Sequence, residues 1–365
     1  MRMPMRIVMK RWTKVVMMTA ALCLAANAAI AADKYRVQEL KLATDASVTP
    51  HGLNNNGVSV GGAGLSHGGD LSIFLWQRGP AANQLRRSAG SDYSEAKSVN
   101  DAGQIVGSMN TRTAMRGFLW TESSGLRELG TLPGDNSSAA FSVNSTGWIA
   151  GSSSGSAGMK AVLWNPQAQA THLGNLPGAS ESQAFALNDS NDVVGSSGSG
   201  ADVHAFLWSQ STGIRDLGAL AGDRSAQAFA INKNRQVVGI SNGENGSRAF
   251  LWTESTGMQN LGGFSGGAYS EATGINDAGE VVGSSSSGLG LRAFIWTVAD
   301  GLRDLNTLIP STSNLVLTGA VAINNNGQIL AVGSRQHDLA NDREANMDND
   351  HHSGATRAYL LTPVK

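Results

Sequence analysis

A single repeat with a period of 44 residues runs through most of this chain. Tryptophans recur at that interval: Trp76, Trp120, Trp164, Trp208, Trp252 and Trp296. Leucines keep the same spacing: Leu85, Leu129, Leu173, Leu217, Leu261 and Leu305. The third series consists of asparagines, Asn100, Asn144, Asn188, Asn232 and Asn276, and extends outward to Asn54 and Asn324. Three markers that share one period of this length predict a β-propeller or a solenoid.

The sixth repeat shows how one unit folds. Residues 269–276 alternate small and larger side chains, as a half-buried strand does. Asn276 and Gly279 then bound a tight turn in which the glycine supplies a positive φ. Further strands are predicted at 280–283, 292–296 and 302–305. Since no segment carries the apolar stripe of a long helix, four antiparallel strands per unit favour a propeller blade over a helical solenoid.

The number of blades follows from the asparagine series, which has seven members. The seventh unit ends with its third strand, at 359–361, close to the end of the chain. Its fourth strand is found at the other end, because Tyr35–Leu40 imitates the Leu126–Leu129 strand of the second unit. We therefore predict an all-β, seven-bladed β-propeller with four antiparallel strands per blade, closed by the N-terminal strand. It forms one domain over residues 32–365, with an insertion at about 335–356.

The first 31 residues have the pattern of a secretory signal peptide. Five cations and no acid precede an apolar stretch from Val15 to Ala28, and Ala29 and Ala31 form a small-residue cleavage pattern. The alternative, a membrane anchor, is disfavoured because this stretch is shorter than the roughly 20 residues that span a bilayer. We expect cleavage after Ala31 and a secreted or periplasmic protein without a membrane span.

The composition of the mature chain excludes several classes of partner and site. Removal of the leader leaves 334 residues with 22 basic and 28 acidic side chains. No polybasic surface is therefore expected to recruit nucleic acid. Cys23, the sole cysteine, leaves with the leader, so neither a disulfide nor a cysteine-based zinc site can form. We expect a monomer that is held together by packing alone.

The repeat resembles that of the HAF repeat family of extracellular bacterial proteins. The family pattern reads H-A-F-L-W, then D-L-G-T-L-G-G, then A-x-x-I-N-D-x-G-x-V-V-G-x-S. This sequence carries His204–Trp208, Asp216–Gly222 and Ile275–Gly283 in the matching places, and the match covers essentially the whole mature chain. The resemblance implies export and a β-propeller-like repeat, and it implies no catalytic residues. Two features depart from the pattern: other units replace the leading histidine, and Asn191 and Arg235 replace the turn glycine.

One position of the repeat carries a basic side chain in six of the seven units. These residues, here termed the basic register, are Arg116, Lys160, His204, Arg248, Arg292 and Arg357, and the first unit has Ser72 instead. In a propeller such positions form a ring on one face. One interpretation is a cationic rim that binds an anionic glycan or an envelope protein. The other is a belt of salt bridges with acids such as Asp135, Asp223 and Glu271.

The recurring tryptophans also allow two interpretations. Identical placement at the end of each third strand is what packing between blades requires. The alternative is a ring of aromatic platforms for sugars. Trp148 stands outside the series, in the second strand of the third unit, and is expected to be partly exposed.

The insertion at 335–356 is the only non-repeated segment of any size. It contains candidate metal ligands: His337, Asp348, Asp350 and His351. Their spacing fits neither a calcium loop nor an H-E-x-x-H zinc motif, so a solvated loop is the favoured interpretation. Ca²⁺ is the one cofactor considered, and no cofactor is expected.

The sequence favours binding over catalysis. The loops after the second strands are nearly interchangeable runs of Ser and Gly, no repeated base accompanies the serines, and no phosphate loop occurs in a strand-to-helix context. We expect a binding or scaffold protein for a cell-surface or extracellular glycan or protein, with a quasi-symmetric rim. Two alternatives stay open. The first is an exported polysaccharide hydrolase or lyase, which would have inequivalent acids clustered at one end of the central channel. The second is a structural surface protein.

Overall fold

The repeated units fold into β-sheets of four strands. A computed structural model describes residues 34–42, 47–64, 72–77, 83–85, 93–335 and 356–364. Blade 1 contains β2 (Ser47–Leu53), β3 (Ser59–Gly64), β4 (Ser72–Trp76) and β5 (Asn83–Gln84). Blade 2 contains β6 (Ser94–Val99), β7 (Ile105–Asn110), β8 (Met115–Thr121) and β9 (Gly125–Glu128). Blade 3 contains β10 (Ser137–Val143), β11 (Ile149–Gly155), β12 (Gly158–Trp164) and β13 (Ala170–His172). Blade 4 contains β14 (Glu181–Leu187), β15 (Val193–Ser199), β16 (Asp202–Ser209) and β17 (Gly213–Gly218).

The remaining blades follow the same plan. Blade 5 contains β18 (Asp223–Ile231), β19 (Val237–Gly243), β20 (Gly246–Thr253) and β21 (Gly257–Gly262). Blade 6 contains β22 (Ser270–Ile275), β23 (Val281–Ser287), β24 (Gly290–Thr297) and β25 (Gly301–Asp304). Two short 3-10 turns, Leu305–Thr307 and Ser311–Ser313, lead to blade 7, which contains β26 (Leu315–Ile323), β27 (Ile329–Arg335), β28 (Arg357–Pro363) and β1 (Tyr35–Leu40).

The seven antiparallel sheets are arranged as a ring. Six of them keep chain order from the first strand to the fourth. The first strands of neighbouring blades contact one another all the way round, from β2 to β26 and back to β2. The first strands therefore surround a central channel, and the fourth strands lie at the outer edge. This confirms the predicted seven-bladed propeller.

The two ends of the described chain meet in blade 7. Strand β1 pairs antiparallel with β28, so that Val37 lies opposite Leu361 and Leu40 lies opposite Ala358. The sheet order β1-β28-β27-β26 confirms the predicted closure. Without β1, the edge of β28 would expose unpaired backbone groups, which template aggregation.

The apolar core lies between neighbouring blades. One cluster joins Val194 and Leu207 of blade 4 to Ala228 and Phe250 of blade 5. Burial of the tryptophans alternates from blade to blade. Trp76, Trp164 and Trp252 are buried, whereas Trp120, Trp208 and Trp296 are half-buried. Trp148 is half-buried against the cluster between blades 3 and 4. This placement agrees with packing as the role of the tryptophans.

The turns between first and second strands share one backbone conformation. Gly279 has a φ of 80°, as the turn assignment requires. Asn191 and Arg235 adopt the same left-handed region without being glycine, with φ of 62° and 58°. The turn forms at Arg235 because Oδ1 of Asn232 accepts hydrogen bonds from the backbone N–H groups two and four residues later. The asparagine thus holds the turn even where the glycine is missing.

The seven asparagines also form a closed ring of hydrogen bonds around the channel, here termed the asparagine ring. Nδ2 of each donates to the backbone oxygen of the asparagine in the next blade, from Asn54 round to Asn324 and back to Asn54. These bonds measure 2.8–3.3 Å, and all seven residues are buried. An apolar replacement would leave buried backbone groups unpaired, which explains why this residue keeps the period.

Candidate functional site in the central channel

The inner strand of every blade contains a β-bulge at the same place, three residues before the asparagine. The bulged residues, here termed the bulge ring, are His51, Lys97, Phe141, Phe185, Phe229, Thr273 and Val321. A bulge takes one residue out of the strand pairing and redirects its side chain. Because these strands border the channel, the bulge places seven side chains at one level of it. Unlike the asparagine ring, this ring is chemically asymmetric.

Three phenylalanines form an aromatic wall on one side of the bulge ring. The ring centroids of Phe141 and Phe185 lie 5.8 Å apart with planes at 67°, and Phe185 and Phe229 repeat this at 5.8 Å and 68°. This is the edge-to-face geometry that aromatic pairs prefer. All three rings are half-buried and keep part of their surface accessible, although they lie on the innermost strands. The wall therefore presents apolar surface to the channel.

The adjoining part of the ring carries ionisable groups. The carboxylate of Glu95 accepts from Nε2 of His51, from Nζ of Lys97 at 2.7 Å and from the hydroxyl of Tyr93 at 2.7 Å. Nζ of Lys97 also lies 3.2 Å from Nε2 of His51. The Glu95 side chain is 9% exposed, whereas His51 and Lys97 are 23% and 24% exposed. These four residues are termed the ionisable cluster.

The contacts fix the protonation of Glu95 and Tyr93 at neutral pH. Burial by itself would raise the pKa of Glu95, but the hydrogen bonds and charges of His51 and Lys97 outweigh it and lower the pKa from 4.5 to about 2. Burial, reinforced by the bond to Glu95, raises the pKa of Tyr93. Glu95 is therefore ionised and Tyr93 is a donor. Since a carboxylate only accepts, Nε2 of His51 carries a proton.

The second nitrogen of this imidazole is available. Among the described residues, none forms a hydrogen bond with Nδ1 of His51. An imidazole that donates to a carboxylate through one nitrogen has its other nitrogen left for a further hydrogen bond. The side chain of His51 is thus oriented and chemically competent.

The mouth of the channel at the asparagine ring, three residues further along each inner strand, has a different character. A cavity of about 250 Å³ is lined there by the asparagines and by the residues on either side of them. Its three carboxylates, Asp101, Asp189 and Asp277, each accept a backbone N–H of the preceding blade at 2.8–3.1 Å. They tie neighbouring blades together. The cavity is also smaller than the roughly 300–1,000 Å³ of ordinary ligand pockets.

The basic register lies on the third strands, two strands outward from the channel. Each of its six members contacts an acid, in the pairs Arg116–Glu128, Lys160–Asp135, His204–Asp216, Arg248–Asp223, Arg292–Asp304 and Arg357–Glu39. The distances run from a close contact at Arg248 to 4.0 Å at Arg292. Such pairing is what the salt-bridge interpretation requires. Binding of a ligand by these residues stays a prediction.

The acids of these pairs alternate between two places. In blades 2, 4 and 6 the acid lies on the fourth strand, 12 residues after the base, whereas in blades 3 and 5 it precedes the base by 25 residues. Asp135 and Asp223 are 2% exposed, and burial of Asp135 is outweighed by Lys160, which lowers its pKa. Glu271, the third acid expected to serve the belt, instead contacts the hydroxyl of Tyr269.

Several predicted features fall outside the described residues. These are the leader at 1–31 and the candidate metal ligands His337, Asp348, Asp350 and His351. Within the described ranges, no three His, Cys, Asp or Glu side chains are grouped so that they could hold a metal ion. The same ranges contain no helix that is long and apolar enough to cross a membrane.

The bulge ring is not evident from the repeat, because its residues do not recur with the period of 44 residues. The informative signal lay in one column that does not repeat. The position four residues before the asparagine is alanine in six of seven units, yet the next position holds His, Lys, three Phe, Thr and Val. When the units are aligned, a variable position follows a nearly constant one on the strand that borders the channel. This variable position indicates where the propeller departs from its symmetry.

Comparisons with known proteins support the fold. No family model matches the chain and no curated protein matches it, so the resemblance to HAF repeats stays a prediction. A streptogramin B lyase structure is 10% identical, with a TM-score of 0.55, and the match covers 92% of this chain and 99% of that one. A catalytically inactive histidine-to-alanine variant of virginiamycin B lyase from Staphylococcus aureus, with quinupristin, is 11% identical at a TM-score of 0.55, covering 91% and 100%. Oligogalacturonate lyase in complex with manganese is 11% identical at 0.51, covering 91% and 98%.

Proposed function

We propose that this chain is an exported binding protein whose ligand, a glycan of the cell surface or its surroundings, enters the central channel and packs on the aromatic wall. The observation that carries the proposal is the asymmetry of the bulge ring. Seven equivalent positions hold three edge-to-face phenylalanines in consecutive blades and, in the two adjoining blades, a histidine and a lysine. Binding sites are characteristically apolar and aromatic surfaces with a few placed polar groups.

Structure alone would not require this asymmetry. Two neighbouring positions of the inner strand are nearly invariant: the asparagine recurs in all seven blades, and the residue before the bulge is a buried alanine in six of them. A half-buried phenylalanine on an innermost strand contributes less to stability than a fully buried one, because part of its surface remains in contact with water. Three such residues in a row are explained by a partner that covers them.

A glycan array probed with the mature protein tests the proposal. The variant Phe185→Ala removes the central ring of the wall, and Val321→Ala is its matched control, since it removes an apolar side chain from the same bulge position of blade 7. We expect the parent to retain one or more glycans, and Phe185→Ala to weaken that binding about tenfold or more, as loss of a central aromatic anchor does. The control should stay within about threefold.

Two outcomes would overturn the binding proposal. One is an array, extended by a pull-down from envelope extracts, on which the parent retains nothing. The other is retention that Phe185→Ala and Val321→Ala leave equally intact. Circular dichroism and melting of both variants separate loss of binding from loss of fold.

The ionisable cluster favours a second candidate function, an exported polysaccharide hydrolase or lyase. His51 is held by the buried carboxylate of Glu95 through Nε2, an arrangement typical of a general base. The three structural neighbours named above are lyases on the same fold, at identities that speak for the fold alone. Chromatography of each retained glycan after incubation tests this function. Cleavage that is lost in His51→Gln while binding persists supports an enzyme, and unaltered glycans contradict it.

A further inference from the structure

We infer that the ligand of the channel is an acidic sugar whose carboxylate is bound by Lys97. This inference rests on the proposed function and specifies its ligand class. It follows from the way the ionisable cluster distributes its hydrogen-bonding groups between the protein and the channel.

Glu95 is unavailable to a ligand. Its carboxylate accepts from His51, Lys97 and Tyr93, and its side chain is 9% exposed. A carboxylate that is already bound by three donors and nearly buried has little surface left to offer. The acid of the cluster therefore serves the protein, as a positioning residue for the two side chains beside it.

Lys97 is available. Its ammonium has three N–H donors, and one of them is bound by Glu95 at 2.7 Å. Its other neighbour among the described residues, Nε2 of His51, carries a proton itself and so cannot accept. Two N–H groups of a charged, 24% exposed side chain therefore remain for an acceptor in the channel. Donors of this kind bind anionic acceptors most strongly.

The rest of the bulge ring leaves Lys97 as its one permanent cation. Beyond His51 the ring offers three phenylalanines, Thr273 and Val321, all without charge. The acid two residues before the bulge in blade 6, Glu271, contacts Tyr269 and lies three blades away from Lys97 round the ring. Within the bulge ring, an acidic ligand is thus attracted at blade 2. The carboxylate of a sugar acid is an acceptor that such an ammonium binds through a charge-assisted hydrogen bond.

The aromatic wall supplies the other half of the recognition. Lys97 belongs to blade 2, and the wall begins at the same bulge position of the next blade, with Phe141. A ligand that is held by Lys97 therefore has apolar surface beside it. Sugar acids combine a carboxylate with a ring that has apolar C–H faces, which matches both elements at once.

Titration calorimetry with matched carbohydrates tests the inference. The probes are oligosaccharides of hyaluronan, alginate and polygalacturonate, each beside its carboxyl-reduced form. We expect the parent to bind at least one acidic probe on the order of 10- to 100-fold more tightly than its reduced form, the range for a charge-assisted hydrogen bond. This arm needs no variant, so it stays informative if a substitution disturbs folding.

Variants then assign the effect to one residue. Lys97→Met keeps the length of the side chain and removes the charge, and it should abolish the preference for the acidic form without weakening binding of the reduced form. Lys97→Arg should restore most of that preference. Lys233→Met is the matched control, because Lys233 lies outside the bulge ring, pairs with Asp277 and is 65% exposed; it should bind as the parent does.

The possible failures are distinguishable. Equal affinity of the parent for acidic and reduced forms, or equal weakening of both forms by Lys97→Met, overturns the inference and leaves channel binding standing. If the parent retains only neutral glycans, and Phe185→Ala weakens that binding, the inference is likewise overturned while channel binding stands. If the parent binds none of these probes and nothing on the array, both the inference and the proposed function fall.

Discussion

Asn232 and Asn165 form a matched pair for measuring what the asparagine ring contributes to stability. In both, Oδ1 accepts from the backbone N–H groups two and four residues later, and Nδ2 donates to the glutamine four residues later. Both turns also contain a residue with positive φ, Arg235 at 58° and Ala168 at 65°. The difference is that Asn232 is buried and also donates to the backbone oxygen of Asn276 in the next blade, at 3.0 Å.

The magnitude follows from the groups left unpaired. Asn232→Ala removes the hydrogen-bond partner of the buried carbonyl of Asn276 and of two partly buried backbone N–H groups. Because an unsatisfied buried group costs about 1–3 kcal/mol, the free energy of unfolding should fall by about 2–4 kcal/mol. At Asn165 water replaces the lost partners, so Asn165→Ala should cost about 0.5–1.5 kcal/mol.

Guanidinium denaturation followed by tryptophan fluorescence measures both variants against the parent. Far-UV circular dichroism before denaturation shows whether each variant retains its sheets. The account requires the larger shift in midpoint at Asn232. Equal shifts for the two variants would show that the bond between blades contributes nothing, and the structural role of the asparagine ring would be refuted.

Three further predictions concern closure, the turns and the ionisable cluster. Deleting residues 34–40 should cause aggregation or a large fall in melting temperature, because it exposes the edge of β28; a deletion that melts within a few degrees of the parent would contradict closure. Gly279→Val should cost about 1–3 kcal/mol in a denaturation experiment, since φ is 80° there, whereas Gly288→Val, with open space and no positive φ, should cost little. Glu95 has a lowered pKa, so its contribution is present above pH 4.5 and is lost as the pH falls towards 2. Between pH 4.5 and pH 2, the free energy of unfolding should therefore fall by up to about 3 kcal/mol more in the parent than in Glu95→Gln. If the two proteins lose stability in parallel, the lowered pKa of Glu95 is contradicted.

The fold was predictable because each blade packs between two blades like itself. Such packing imposes the same side chain at the same place in every unit, as at Trp164 and Asn144, and this produces the period of 44 residues. Closure was predictable for the same reason, since Tyr35–Leu40 copies a fourth strand. Packing leaves a periodic trace in the sequence.

The candidate site leaves no such trace. Whether Lys97 faces the channel depends on a bulge, which shifts the alternation of the strand by one residue, and nothing in the local pattern of side chains requires that shift. The salt bridges were not predictable from the period of 44 residues for a different reason. Their acids Glu128, Asp216 and Asp304 recur every 88 residues, twice the period, so a search for one acid in every unit finds none.

A crystal structure of the protein with the oligosaccharide that it binds most tightly tests the central claim most directly. The account predicts a sugar ring in van der Waals contact with Phe185, within about 4.5 Å. It also predicts a carboxylate oxygen at about 2.7–3.2 Å from Nζ of Lys97. A sugar bound at the outer face against Arg248 or Arg292, with the channel free of ligand, would contradict the account and restore the basic register as the binding site.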